Sequence, residues 1–165
     1  MKSLYDTDYH KWLRQQRDLL AQRQFDQLDI ENLLGELELG IKDHIRELVS
    51  HLVILLVHLL KYDYQNRVLK DPWVKDKVLY TWMPSINNPR GEIEIHVEEN
   101  PSLSSHFEES LEKAYPKAKR RAIDELNEYI SIKAKRLNKN SFPEQCPWSY
   151  EQVMQRGWLP EVDND

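Results

Sequence analysis

The sequence predicts an all-α fold, a single-domain helical bundle with one long central helix. Apolar side chains recur every three or four residues over long stretches, which is the period of an α-helix. The 165 residues include only 4 glycines, so few tight turns are expected, and 40% of the residues are hydrophobic. A chain of this length and composition can bury one core. We therefore assign residues 1–165 to one domain.

The central helix is predicted to begin at Asp29, whose side chain can cap it, with Glu31 in the first turn. An apolar stripe follows at helical spacing: Ile30, Leu33, Leu34, Leu37, Ile41, Ile45, Leu48, Leu52, Leu55, Leu56 and Leu59. Residues 52–60 are apolar nearly all round, so other helices must surround them. Gly35 and Gly40 each cost about 1 kcal/mol relative to alanine. Both are candidates for close approach of another helix.

Two shorter helices are predicted on either side of the central one. Residues 9–22 show helical periodicity, and Asp6, Thr7 and Asp8 offer capping oxygens. Residues 72–82 are predicted to be helical, with Asp71 as the cap and a proline at the first position.

Residues 84–98 are ambiguous, because residues 84–91 contain two prolines and a glycine. Residues 92–98 then alternate between polar and apolar, a pattern typical of a strand. A strand without a partner leaves its backbone hydrogen bonds unmade, so we favour a helix there.

The last third of the sequence predicts a helix over residues 102–137, kinked or interrupted at Pro116. Ser149 and Gln152 form the pattern of a capping box, which predicts a short C-terminal helix over residues 149–156.

Charge is distributed unevenly along the chain. The net charge is −5, yet residues 113–139 contain nine Lys/Arg and three acids, so this segment carries +6 and the remainder −11. A basic strip can bind phosphates, here through Lys117, Lys119, Arg120 and Arg121. A solvated helix face explains such a strip more often. Nucleic acid is therefore not the expected partner, and phosphate or nucleic-acid binding through residues 113–139 stays an alternative.

Composition also indicates the compartment. One cysteine, Cys146, cannot form a disulfide within its own chain, which favours a reducing environment. The first residues have no apolar signal core, and the apolar run at residues 52–60 is about half the ~20 residues that cross a bilayer. We expect a cytoplasmic protein without membrane contact.

Several spaced motifs resemble a bacterial, largely cyanobacterial family known as domain of unknown function twenty-nine. They include LYDTDY at residues 4–9, LDIENL at 28–33, HLLKY at 58–62, NPSL at 100–103 and FPEQCPW at 142–148. The resemblance covers almost the whole chain and implies an all-α helical bundle, but no activity. Residues 66–81 depart from the family pattern and resemble an insertion, and Pro89 and Gly91 occupy positions where the family is helical.

The best candidate for chemistry is a polar site on the central helix, formed by Glu36, Glu47, His51 and His58. His44, His51 and His58 recur every seven residues and therefore share one side of the helix. Bundle metal sites use carboxylates and histidines from facing helices, and His96, His106 and Glu98 are possible further ligands. An ordinary surface pair between Glu47 and His51 explains the same pattern without a metal.

No catalytic residue can be assigned, and the sequence contains no phosphate-binding loop, dinucleotide fingerprint or nucleophile elbow. We therefore expect no cofactor and predict a non-enzymatic protein-interaction module that binds another protein or itself. Ten aromatic side chains would form a surface for a partner if they are exposed, whereas they would close the bundle tightly if they are buried. They are Tyr5, Tyr9, Trp12, Tyr62, Tyr64, Trp73, Tyr80, Trp82, Trp148 and Trp158. A metal-dependent hydrolase using the central-helix site is the alternative.

Overall fold

The computed structural model describes residues 1–70 and 72–160, except for the side chains of Val74, Lys75 and Leu79. Within these residues all regular structure is helical and no strand occurs. The all-α fold predicted from the sequence is therefore confirmed. The cap predicted at Asp71 lies outside the described residues.

Most of the helices follow one another through short connections, but residues 129–149 separate the last two. In chain order they are α1 (Leu4–Thr7), α2 (Tyr9–Ala21), α3 (Ile30–Arg67), α4 (Trp73–Lys77), α5 (Met83–Glu99), α6 (Phe107–Glu128) and α7 (Tyr150–Met154). Short 3₁₀ turns occur at Phe25–Gln27, Pro101–His106 and Lys133–Lys135, and a wider π-helical turn, Val78–Trp82, leads from α4 into α5.

Helix α3 is the long central helix that the sequence predicts, with 38 residues. The backbone N–H of Asn32 donates to the side chain of Asp29 at 3.4 Å, which confirms the predicted cap. The chain forms two compact units, Met1–Asp43 and His44–Asp165, and their boundary falls inside α3. The assignment of residues 1–165 to one domain stays a prediction.

The first unit, residues 1–43, is described completely and has a very small core. Only Trp12 and Gln16, both on α2, are buried in it. The indole of Trp12 donates to the carboxylate of Asp29 at 2.9 Å, and the backbone N–H of Asp29 donates to Gln16 at 2.8 Å. Polar contacts between α2 and the start of α3 therefore hold this unit together.

The second unit contains the main hydrophobic core. Its fully buried apolar side chains come from the second half of α3, from α5, from α6 and, at one position, from α7: Leu48, Leu52, Leu55, Leu56, Leu59, Ile86, Ile93, Ala114, Ala118, Ala122 and Val153, all at 0% exposure. Ile54, at 38% exposed, is the main exception within residues 52–60. The prediction that other helices surround this stretch is confirmed at nearly all of its positions.

Residues 84–98 belong to one continuous helix, α5, so the strand-like alternation at residues 92–98 does not produce a strand. Pro84 lies in the first turn, where its missing N–H has no helical partner, but Pro89 lies inside the helix. Ile86, Arg90 and Ile93 are buried on one face. Burial of that face outweighs the local cost of Pro89, which is why the segment does not break.

Helix α6 continues through Pro116 without the interruption that was one of the two outcomes predicted there. The predicted end near Leu137 is wrong, because the helix ends at Glu128. Pro116 is exposed, so water can satisfy the carbonyl that loses its partner. Beyond Glu128 the chain folds back, because the side chain of Asn127 makes two hydrogen bonds, of 2.8 and 3.0 Å, with the backbone of Leu137. Those bonds position the buried Leu137 side chain.

Helix α7 begins with the capping box that the sequence predicts, in which Ser149 and Gln152 each bond the backbone of the other. It spans only Tyr150–Met154 and is followed by Gly157, which has a positive φ of 81°. Glycine adopts this left-handed conformation without the steric cost that a side chain would bring.

Candidate functional site

A cluster of histidines and a carboxylate lies in the second unit, where α3 and α5 pack together. His44, Glu47 and His51 lie on successive turns of α3, and His96 comes from α5. One donor atom from each of His44, Glu47 and His96 lies within 4.8 Å of the others. We call these three residues the His44–Glu47–His96 cluster. Among the described residues, it is the group of three His, Cys, Asp or Glu side chains that lie close enough together to hold a metal ion.

His96 is the buried member of the cluster, at 6% exposure. Its Nε2 lies 3.0 Å from the backbone carbonyl oxygen of His44. Because a carbonyl can only accept, Nε2 must carry the hydrogen. The other ring nitrogen, Nδ1, faces the Glu47 carboxylate at 3.6 Å. The backbone of α3 thus fixes the orientation of the His96 ring and directs Nδ1 toward an anionic group.

Glu47 lies between two imidazole rings. Its Oε2 faces Nδ1 of His96, and its Oε1 lies 3.7 Å from Nε2 of His51. The rings of His44 and His96 stack with centroids 5.4 Å apart. The predicted pairing of Glu47 with His51 is therefore present, and His44 and His96 complete a site that contains more imidazole than an ordinary surface pair.

His58 lies elsewhere on α3, in a different environment from Glu47 and His51. Burial, reinforced by the positive charges of Lys61 and Arg121, lowers the pKa of His58. Lys61 donates to Glu125 on α6 at 2.8 Å, and Arg121 donates to the same carboxylate at 2.8 Å. The structure therefore places His58 beside an ion-pair network between α3 and α6.

Glu36 belongs to the first unit, where two phenols share its carboxylate. Tyr5 donates to one oxygen at 2.6 Å and Tyr9 to the other at 2.7 Å. These hydrogen bonds lower the pKa of Glu36, and the bond to Glu36 raises the pKa of Tyr5 to about 12. The contacts give Glu36 a structural role within residues 1–43, joining α1 and α2 to α3.

The proposed phosphate-binding residues lie on α6, and two of them have partners within the chain. Lys119 donates to the carbonyl of Pro143 at 2.9 Å, and Arg121 is engaged with Glu125. Lys117 and Arg120 are exposed. Because α6 ends at Glu128, the basic residues 133–139 do not extend the same helix face.

The first half of α3 carries an exposed apolar stripe, which is the second notable feature. Ile30, Leu34, Leu37 and Ile41 are 53%, 61%, 66% and 63% exposed. We call these four residues the α3 stripe. Further large apolar side chains in the same unit are also exposed: Leu13, Leu20, Phe25 and Leu39, at 40%, 47%, 59% and 45%. The sequence predicts this stripe as part of one continuous core face, yet within residues 1–43 it faces solvent.

The aromatic side chains divide between the two roles that the sequence leaves open. Trp12, Tyr62 and Trp82 are buried, at 1%, 6% and 8% exposure, whereas Trp73 and Tyr80 are exposed at 64% and 86%. The aromatic residues thus serve the core at some positions and leave apolar surface exposed at others.

Cys146 shows no sign of a nucleophile. Burial raises the pKa of its thiol, which disfavours the reactive thiolate at neutral pH. Among the described residues, moreover, no helix is both long enough and apolar enough to cross a membrane.

Sequence reasoning does not single out two important residues of the second unit. His96 is one of several possible ligands by sequence, and its selection depends on packing between α3 and α5. Arg90 is fully buried and donates to the backbone carbonyls of Val153 and Trp158 at 2.7 and 2.8 Å. A signal for it exists, because Arg90 shares a helix face with Ile86 and Ile93 at spacings of four and three residues.

The fold and these two features define an all-α protein with a long central helix, a His-carboxylate cluster and an exposed apolar stripe. The sequence matches the family described as Domain of unknown function DUF29 over residues 4–159, and the chain belongs to that family. No curated protein and no solved structure gives a significant match.

Proposed function

We propose that this protein is a non-enzymatic protein-interaction module whose binding surface is the α3 stripe, and that the partner is a second copy of the same chain. The observation that carries the proposal is the exposure of Ile30, Leu34, Leu37 and Ile41, each more than half exposed. Contiguous apolar surface of this kind marks interaction sites on soluble proteins.

The small core of the first unit supports a need for a partner. Units of about 40 residues rarely hold together without disulfides, metals or association. Here only Trp12 and Gln16 are buried among residues 1–43. Helices α2 and α3 form a two-helix hairpin in this unit, and two such hairpins that bury their apolar faces against each other make a four-helix bundle.

The spacing of the stripe favours self-association in an antiparallel arrangement. Ile30, Leu34, Leu37 and Ile41 are separated by four, three and four residues, so the pattern reads the same in both directions. An antiparallel copy therefore places Ile30 opposite Ile41 and Leu34 opposite Leu37. A two-fold interface needs such self-complementarity.

The charges beside the stripe fit the same arrangement. Glu31 and Lys42 flank opposite ends of it, so an antiparallel copy brings Glu31 of one chain near Lys42 of the other. The close approach of another helix that the sequence suggests at Gly35 and Gly40 does not occur within the described chain, because a side chain built at either would meet no atom within 4 Å.

The energy of the interface can be estimated from the exposure. Full burial of a leucine or isoleucine contributes about 2 kcal/mol. Eight stripe side chains in two copies, each with about 60% of its surface still to be buried, contribute on the order of 10 kcal/mol. Association itself costs at least about 4 kcal/mol. The expected dimer is therefore weak: a net gain of at most about 6 kcal/mol corresponds to a dissociation constant of roughly tens of micromolar or weaker, unless neighbouring apolar residues add to it.

Sedimentation equilibrium of the full chain over a wide concentration range tests the proposal. Wild-type protein should pass from monomer to dimer as its concentration rises. The double variant Leu34→Gln/Leu37→Gln should stay monomeric at every concentration, because it removes the two central apolar contacts. Both side chains are exposed, so the fold should be retained.

The matched control is Ile95→Gln/Ile132→Gln, which removes two isoleucines that are 53% and 55% exposed in the second unit. It should dimerise like the wild type. A wild-type protein that is monomeric throughout, or a dimer that survives loss of Leu34 and Leu37, contradicts the proposal. A stable complex of the monomeric chain with a different protein would show that the partner is not a second copy.

We further propose that the protein acts in the cytoplasm. Its only cysteine, Cys146, is partly buried and unpaired, as expected for a protein of a reducing compartment. Fractionation of cells that express the full chain, with markers for each compartment, tests this location. Recovery in an oxidising compartment would contradict it.

A further inference from the structure

We propose that His44, Glu47 and His96 form a binding site for a divalent transition metal of the zinc class, with one coordination position open to solvent. This proposal goes beyond the interaction function and does not depend on it, because all three residues lie in the second unit. Two imidazole nitrogens and one carboxylate oxygen are a common ligand set for zinc.

The orientation of His96 is the first argument. Its Nε2–H donates to the carbonyl of His44 at 3.0 Å, so in the neutral ring the lone pair of Nδ1 points at the Glu47 carboxylate, 3.6 Å away. A lone pair facing a carboxylate is unfavourable, and either a proton on Nδ1 or a metal cation between the two atoms relieves the repulsion. A hydrogen bond from the second ring nitrogen to a backbone carbonyl is also how proteins orient metal-ligating histidines.

The distances are the second argument. Ligand atoms about 2.1 Å from a tetrahedral zinc ion lie roughly 3.4 Å from one another. Nδ1 of His96 and Oε2 of Glu47 are 3.6 Å apart, so these two atoms already have the required separation. All three donor atoms lie within 4.8 Å of one another. His44 is exposed, so its side chain has room to move its nitrogen closer to the other two donor atoms.

The surroundings of the cluster define the remaining coordination. Glu47 is about half exposed, at 53%, and His44 is exposed, so the outer side of the site is open to water. His51 lies 3.7 Å from the second oxygen of Glu47. We assign His51 a positioning role, in which it holds the carboxylate while a water molecule completes the coordination.

Titration of Co²⁺ into the untagged full chain, stripped of metals with a chelator that is then removed, tests the proposal. Tetrahedral cobalt absorbs visible light strongly, so binding is read without any assumption about activity. Wild-type protein should bind one equivalent and release it to one equivalent of Zn²⁺. His44→Ala and Glu47→Gln should each weaken binding by about 100-fold or more, because loss of an outer-sphere partner alone costs 10–100-fold.

His106→Ala is the matched control. His106 also pairs with a carboxylate on its own helix region, Glu109 at 3.7 Å, but it belongs to no such cluster in the described chain. The control should bind cobalt like the wild type, and His51→Ala should lose about tenfold. Since His44 and Glu47 are exposed, their variants should keep the wild-type circular dichroism spectrum. Absence of stoichiometric binding, or binding unchanged in His44→Ala and Glu47→Gln, overturns the proposal and leaves an ordinary ion pair between Glu47 and a protonated His96.

Discussion

Replacement of Arg90 by methionine should destabilise the protein substantially, although arginine is an unusual residue for a core. The side chain is 0% exposed and donates to the backbone carbonyls of Val153 and Trp158 and to the side chain of Asn87, at 2.7, 2.8 and 3.0 Å. Burial lowers the pKa of Arg90 to about 10, so the guanidinium still carries its charge at neutral pH. Its hydrogen bonds are therefore charge-assisted.

The magnitude follows from the groups that lose their partner. Methionine fills much of the space but donates no hydrogen bond, so the carbonyls of Val153 and Trp158 are left unsatisfied. Each such group costs about 1–3 kcal/mol, and removal of a buried charge offsets part of that. We expect the free energy of unfolding to fall by about 3 kcal/mol.

Urea denaturation followed by tryptophan fluorescence measures this change. Trp148 and Trp158 contact each other edge to face, with ring centroids 5.8 Å apart, so the fluorescence also reports on the C-terminal segment. Arg156→Met is the control. Arg156 makes a surface pair with Glu94 at 3.8 Å, so its replacement should cost less than about 1 kcal/mol. Equal stability of Arg90→Met and the wild type would refute the reasoning, as would an equally damaging Arg156→Met.

Three further predictions concern other contacts. Spectrophotometric titration should show Tyr5 ionising near pH 12, so its stabilising bond to Glu36 is present below pH 10 and is lost as the pH rises through 12. Glu36→Gln should lower the pKa of Tyr5, and an unchanged titration would disprove the contact. The pKa of His58 is lowered in the folded protein, so stability measured by urea denaturation should decline as the pH falls below 6.5, and His58→Gln should flatten that decline; a wild-type slope in the variant would refute this. Leu56→Ala, at a fully buried site, should lower the free energy of unfolding by about 3–5 kcal/mol in the same assay. Ile54→Ala, at a site 38% exposed, should lower it much less, and similar losses in the two variants would contradict the packing described for α3.

The fold could be predicted where the signal is local. The apolar period of α3, the cap at Asp29 and the capping box at Ser149 all act within a few residues, so the sequence alone reveals them. The local signal is ambiguous or misleading where distant contacts decide the outcome: a helix over residues 84–98 is favoured correctly but against a strand-like pattern, and the end of α6 is predicted too late. Burial of Ile86 and Ile93 holds α5 together across Pro89, and the bonds between Asn127 and Leu137 belong to a chain reversal that periodicity does not encode.

The candidate sites show the same division. The positions of Glu47 and His51 on one helix follow from spacing alone, and their proximity at 3.7 Å is as expected. The choice of His96 as the facing ligand depends on how α5 packs against α3, which one sequence cannot show. The exposure of Leu34 and Leu37 could not be predicted either, because an apolar stripe looks the same whether it faces its own core or a partner.

A distance between two copies of the chain tests the proposed interface most directly. A spin label attached to a cysteine at position 42, in a Cys146→Ser background, reports the separation of the two stripes. Replacement of Lys42 removes only a charge at the rim of the interface. Antiparallel pairing about the midpoint between Gly35 and Glu36 places the two labelled backbone positions about 20 Å apart, given 1.5 Å per residue and helices packed 8–10 Å apart. A measured distance near 20 Å is the expected result. A distance near 10 Å, which indicates parallel pairing, or no dipolar coupling at high protein concentration, would contradict self-association through the α3 stripe.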